Sequence, residues 1–183
     1  MIVRRLTAYL LYFGFALVVA HPADAAPLRE AVDQLAAALA KGLSPGSRLL
    51  IAVTDFEDLQ GTTSELSRYI AERLTTRFAQ SPRFRVIERR RLAEMLAELK
   101  FGMSDLVDPS KAKALGRMTG VEALVVGSLS DLGTTVEIDA RLIELETGGL
   151  LVAATAAISK DDTVKSMQRG HRISRSLPKW SVQ

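Results

Sequence analysis

Leu49-Leu50-Ile51-Ala52-Val53-Thr54-Asp55-Phe56, a loop to Gly61, a stripe of Leu66, Ile70, Leu74 and Phe78, and then Phe84-Arg85-Val86-Ile87-Glu88-Arg89 decide the fold. Leu49 to Val53 is apolar at every position, the composition of a strand covered on both faces. The four stripe residues recur every fourth position, one face of a helix, while Arg68, Glu72 and Arg73 point elsewhere. Thr62 and Glu65 stand three apart, the spacing of a capping box, and predict the start of that helix; Pro82 predicts its end. Phe84 to Ile87 then reads as a second, short strand.

Working outward, Leu28, Val32, Leu35 and Leu39 form another helical stripe, stopped by Gly42, Pro45 and Gly46. A third helix is predicted from about Arg90 to Lys100, burying Leu92, Met95, Leu96 and Leu99. Asp108-Pro109 supplies an N-cap with proline at the first helical position, and Gly120 a C-terminal stop, so a small helix lies between them. Ala123 to Leu129 is a greasy strand. Val136, Ile138, Ala140 and Leu142 alternate with Glu137, Asp139 and Arg141, a strand with one wet face. Leu150 to Ile158 is the last strand, and glycine-containing turns at Asp131 to Gly133 and Glu146 to Gly149 join these three as hairpins. The order is α-β-α-β-α-α-β-β-β, an α/β (α+β) single domain: a mixed sheet with helices mainly on one face, ending in an antiparallel meander.

Residues 1–25 read as a signal peptide: Arg4 and Arg5, an apolar run from Leu6 to Ala20, then Ala23-Asp24-Ala25 as a cleavage site. The run falls short of the ~20 residues of a membrane-spanning helix. An uncleaved anchor is the alternative, because Tyr9, Tyr12, Phe13 and Phe15 lengthen it. The expected layout is signal peptide 1–25, folded domain 26–160 and a basic C-terminal tail 161–183. The expected location is the periplasm, with peripheral attachment to the outer membrane. The chain has no cysteine, so neither disulfides nor an acylated lipoprotein cysteine are to be expected in it. Without Arg4, Arg5 and Asp24 it keeps 22 basic and 20 acidic residues, mostly interleaved. Such a balance, with export, argues against a nucleic-acid partner.

Catalytic signals are weak. Beyond the leader the chain has a single histidine, His171, in the polar tail, so neither a Ser-His-Asp arrangement nor a zinc site is supported. Asp55, Glu57 and Asp58 follow the end of a buried strand, where α/β enzymes place carboxylates and magnesium. Their spacing matches no EF-hand, and no phosphate-cradling loop accompanies them. The blander alternative has Asp55 capping or turning the backbone, with Glu57 and Asp58 solvated. Gly127, Gly133, Gly148 and Gly149 read as turn chemistry. Arg89-Arg90-Arg91 opens a helix whose dipole disfavours positive charge there, and reads as a solvated face partnered by Glu88 and Glu94. In the tail, Lys165, Arg169, Arg172, Arg175 and Lys179 are three or four residues apart with no acid between them. As a helix they would form a basic stripe beside Ile173, Leu177 and Trp180, suited to an anionic surface or a partner. Gly170 and Pro178 favour a frayed tail instead.

Several blocks carry a family resemblance. Ile51-Ala52-Val53-Thr54-Asp55-Phe56-x-Asp58-Leu59-x-Gly61, then Ser64-Glu65-Leu66-x-Arg68-Tyr69-Ile70-Ala71-Glu72-x-Leu74-Thr75, Phe84 to Arg89 with Leu92, Gly120 to Leu129, Ala140 to Ile143 and Glu146-Thr147-Gly148 resemble the FlgO domain. More distantly, the chain is similar to the periplasmic domain of the CsgG curli-secretion lipoproteins and to lipoprotein activators of penicillin-binding proteins. The resemblance implies a non-enzymatic envelope protein without cofactor or metal, supporting a surface structure, foremost the flagellum and motility. An activator of cell-wall synthesis or curli-like secretion is the alternative, and a magnesium- or nucleotide-dependent enzyme using the Asp55 loop a weaker one. The absence of long amphipathic hairpins argues against a secretion pore. Asp55, Phe56, Gly61, Glu88 and Arg89 are the expected structural motif; Lys165, Arg169, Arg172, Arg175, Lys179 and Trp180 are the expected interaction residues. Envelope proteins, including flagellar basal-body or outer-membrane components, a membrane surface and further copies of the chain are the partners left open.

Overall fold

A computed structural model describes residues 26–98, 108–170 and 173–174. Helix α1 (Leu28–Lys41) leads to β1 (Leu49–Val53), the short strands β2 (Glu57–Asp58) and β3 (Thr62–Thr63), and α2 (Glu65–Ala79). Then come β4 (Phe84–Val86), α3 (Arg89–Glu98), α4 (Pro109–Thr119), β5 (Ala123–Asp131), β6 (Thr135–Glu144), β7 (Leu150–Ser159), α5 (Asp162–Arg169) and β8 (Ile173–Ser174). Strands β4, β1, β5, β6 and β7 lie side by side in that order, with β2 also on β5. β1 is parallel to β4 and to β5, while β5, β6 and β7 form an antiparallel meander. A short antiparallel ribbon of β3 and β8 lies apart.

Alternation along the strands sends side chains to two cores. Ile51, Val53, Ala123, Val125, Val136, Ile138, Ala140 and Leu142 face the main core beneath α1 and α2. Val32, Leu35 and Leu39 from α1 and all four stripe residues of α2 are buried there, each contributing about 1.5–3 kcal/mol relative to exposure. Ala52 and Leu124 point the other way, into a smaller core with Leu92 and Leu96 of α3 and Leu115 of α4. Both faces of β1 are therefore covered, the reason its sequence is continuously apolar. Helices α1, α2 and α5 hold one face, while α3 and α4 cover the other only near β1 and β5. Among the described residues nothing covers the second face of β6 and β7, where Arg141 and Ala153 are exposed.

Three local expectations differ from the structure. Helix α2 is capped by Ser64 and not Thr62: the Ser64 hydroxyl accepts from the Ser67 amide, and the Ser67 hydroxyl accepts from the Ser64 amide, each at 3.2 Å. Thr62 is in β3 instead, because its backbone pairs with Ser174. Gly127 forms no turn; it pairs with Ala140 in mid-strand. A Cβ there would overlap the ring of buried Phe56 and stand 2.5 Å from the Asp139 carbonyl oxygen, so the bare backbone makes room for the ring. Lastly, the folded domain does not end at residue 160. Asp161 caps α5 through the Val164 amide at 2.8 Å, Val164 enters the main core, and Met167 packs against it. Gly170 ends the helix and β8 returns to β3, so Lys165 to Lys179 is not one continuous helix.

Candidate functional site

Asp55, just beyond β1, and Arg89, the first residue of α3, are brought together across 34 residues of sequence. The Arg89 guanidinium pairs with the Asp55 carboxylate, donates to Glu72 Oε1 at 2.8 Å and reaches the Arg68 carbonyl at 3.3 Å. Its side chain is only 16% exposed, against 36% for Asp55 and 66% for Glu72. One planar fork thus ties the end of β1, the middle of α2 and the start of α3. Arg90 and Arg91 lie outside this clasp, 3.4 Å from Glu94 on their own helix. Glu88 does not pair with Arg89. It is exposed, and its carbonyl accepts the first helical bond from the Leu92 amide. A local Glu88 to Arg89 contact was the sequence expectation, but the guanidinium is engaged by groups on two other segments.

The acidic loop is used structurally. Asp58 Oδ1 accepts from the Gln60 amide at 3.0 Å and the Thr62 amide at 2.8 Å, while Gly61 has φ +73° and donates to the Asp58 carbonyl at 2.9 Å. Glycine fits that left-handed position without the steric cost of a side chain. Phe56 is fully buried against Gly127, while Asp55, Glu57 and Asp58 are half-buried and Leu59 and Gln60 at the loop tip exposed. A cation at Asp55 would have to displace the guanidinium. Among the described residues no group of three or more His, Cys, Asp or Glu side chains is placed to hold a metal ion.

Two cavities lie at opposite ends of β5. One, of about 310 Å³, is lined by Lys113, Arg117, Glu122, Glu144 and Glu146 together with Leu49 and Leu151. Glu122 accepts from the Leu50 amide at 2.6 Å, and the Lys113 ammonium holds the Glu146 carboxyl below its usual range. The other, of about 230 Å³, is lined by Asp58, Leu59, Ser64, Ser67, Leu129 and Asp131. There Asp131 titrates below its usual range, chiefly because Lys160 donates to it and secondarily through the Gly133 amide. General acid and base work at neutral pH needs carboxyls raised toward 7, the opposite direction. Both cavities are built from charges that anchor structure.

Most of the large accessible apolar side chains lie at these same two ends; exposed Met118, on α4, is a further one. Leu59 is 74% exposed and Leu132 60%, at the loop after β2 and the β5 to β6 turn; Leu150 is 59% exposed at the start of β7. Periodicity reveals buried stripes and gives no signal for such loop residues. Of the expected interaction residues, Lys165 and Arg169 are exposed on α5, with Lys165 3.2 Å from Asp162. Arg172, Arg175, Lys179 and Trp180 lie outside the described residues, as do His171 and the leader 1–25. Among the described residues no helix is long and apolar enough to cross a membrane.

Comparison with known proteins agrees with this architecture. No curated protein matches the sequence significantly. The C-terminal domain of LpoB from Escherichia coli superposes with a TM-score of 0.60 at 16% identity, covering 72% of this chain and 98% of that domain. The same domain from Salmonella enterica gives 0.57 at 16% identity, with the same coverage of both chains. The NMR structure of E. coli LpoB, also at 0.57 and 16% identity, extends the match to 87% of this chain and 82% of its own. At that identity the likeness is one of fold. Of the resemblances read in the sequence, the one to CsgG has a family model behind it: that of the curli production assembly/transport component CsgG matches residues 32–137. That match spans more than half of the sequence, and the chain belongs to the CsgG family.

Proposed function

We propose that this protein is a non-catalytic accessory module of the bacterial envelope, exported by its first 25 residues, that acts by binding and activating a cell-wall synthesis enzyme. The observation that carries this is the fold: the chain accounts for 98% of the LpoB C-terminal domain, and the architecture read in the sequence is similar, more distantly, to lipoprotein activators of penicillin-binding proteins. The site chemistry agrees. Carboxylates in both cavities are bound to lysines, to backbone amides or, for Glu144, to the Thr147 hydroxyl, and exposed leucines provide binding area where an enzyme would provide reactive groups.

The test is reconstitution. Full-length protein added to the bifunctional peptidoglycan synthases of its source organism should raise their glycan polymerisation rate, and Leu59→Ser/Leu132→Ser should lessen the gain without changing the melting temperature. No stimulation and no binding would exclude the proposal. The flagellar reading rests on the FlgO-like blocks and predicts a different outcome: loss of motility on gene deletion with synthase activity intact. An enzymatic role of the Asp55 loop predicts that magnesium or a nucleotide raises the melting temperature, since a ligand of the native state stabilises it. We expect no change.

A further inference from the structure

The two edges of the main sheet differ. One is β4, three residues long with Arg85 exposed, and short charged edges resist pairing. The other is β7, whose sequence Leu-Leu-Val-Ala-Ala-Thr-Ala-Ala-Ile-Ser carries neither charge nor proline along ten residues. Such an edge offers a row of backbone groups for pairing with another strand.

Its outer side is occupied at one end. The Ala26 amide donates to the Ala157 carbonyl at 3.2 Å, in a parallel bridge opposite Ile158. In an antiparallel strand the N–H and C=O of one residue point the same way and alternate along the chain. Because the Ala157 carbonyl faces outward, so do the backbone groups of Thr155 and Ala153, both of which are exposed. Val152, Ala154 and Ala156 point inward against the main core. Beyond Ala153 the pairing with β6 shifts at Leu142 and Ile143, and Leu151 is 40% exposed there. Among the described residues the free edge therefore runs from Leu151 to Thr155, centred on Ala153.

We propose that this edge pairs antiparallel with the same edge of a second copy, about a two-fold axis at Ala153. This goes beyond the proposed function and rests on one part of it, the removal of the first 25 residues, which lead into Ala26. In that register Ala153 faces its own counterpart and Leu151 faces Thr155 of the other copy, so the two free lengths match and pairing stops short of Ala26. Small side chains at Ala153, Ala154 and Thr155 permit close approach, and an uncharged strand brings no like charges together. Within the sheet the nearest charged row is on β6, where Arg141 pairs with Ala153. Its symmetry mate would be three strand spacings away, about 14 Å, which exceeds the screening length of about 8 Å at physiological salt. The outcome is an isologous dimer with one continuous sheet.

Sedimentation equilibrium of the exported protein, its start at Ala26 checked by mass spectrometry, tests this, and a concentration-dependent dimer is expected. Thr155→Lys exchanges the hydrogen bond that the Thr155 hydroxyl donates to Asp139 for a charge on the solvent side of the edge, so it should give a monomer that melts where the wild type does when diluted below its dimerisation range. Because the chain has no cysteine, Ala153→Cys supplies the only thiol. A hydrogen-bonded antiparallel pair sets Cα atoms about 5.5 Å apart, within disulfide reach. Oxidation should therefore give a covalent dimer from Ala153→Cys and none from Leu132→Cys in the distant hairpin. A monomeric wild type, a Thr155→Lys variant that still dimerises, or equal crosslinking from both positions would each overturn the proposal. Synthase stimulation is read separately and does not bear on these outcomes.

Discussion

Phe56 and Gly127 form one packing unit divided between the segment after β1 and the middle of β5, with the ring seated where any side chain on β5 would stand. Gly127→Ala should cost about 1–3 kcal/mol in urea unfolding, because the core must move to admit one methyl. Combined with Phe56→Leu it should cost less than the sum, with a coupling of at least about 0.5 kcal/mol, since the ring is the first obstacle. Full additivity would show that the glycine serves something else; the 2.5 Å approach to the Asp139 carbonyl leaves rescue incomplete. Arg89 is the other residue whose role depends on distant partners. Arg89→Ala should lower stability by about 1–2 kcal/mol, discounted for the exposure of its carboxylate partners, and Arg89→Lys should recover less than half. Asp55, Phe56 and Arg89 stand out in the sequence as a structural motif, but the partner each one meets does not. Each unit joins positions far apart in the chain, and periodicity and turn signals report only on neighbours.

Elements were legible wherever burial alternates or recurs. The stripes of α1 and α2, the Asp108 cap of α4 and the wet face of β6 all follow from local spacing, and the helix-linked strands pair in parallel as expected. Gly170 and Pro178 point to a frayed tail where α5 forms, and the eight residues of this helix bury little, chiefly Val164. That single contact can be tested: Val164→Ala should destabilise the whole domain by about 1–2 kcal/mol, whereas a detachable tail would leave unfolding unchanged. The approach to α5 also contributes a pH dependence. Lys160 and the Gly133 amide hold Asp131 below its ordinary value of 3.8, so its folded form is the better acid. Its stabilisation is therefore present above that value and lost as pH falls through the lower folded value. Asp131→Asn keeps an acceptor for the Gly133 amide and loses the charge. The stability gap between wild type and this variant should be about 0.2–1 kcal/mol near neutrality and close as the pH is lowered below 3.8. A gap that stays constant through acid would assign it to packing.

On the scale of the whole molecule, net charge says little, because 24 basic and 21 acidic residues nearly cancel. Distribution matters more. Val164 and Met167 turn inward and fix α5 on the domain, which leaves Lys165 and Arg169 on its outer side at the start of a stretch rich in Arg and Lys. A basic segment anchored at one end by a packed helix can meet an anionic surface without any change in the core. Replacing Arg169, Arg172 and Arg175 together by glutamine should therefore weaken association with the envelope fraction and with anionic lipid vesicles, while leaving the melting temperature within about 1 °C of wild type. The loss should shrink as salt is raised, since screening removes the same attraction from the wild type. Unchanged cofractionation and vesicle binding would move the attachment to the apolar residues at the ends of β5. A lowered melting temperature would instead give the arginines a structural role, of the kind already seen for Arg89.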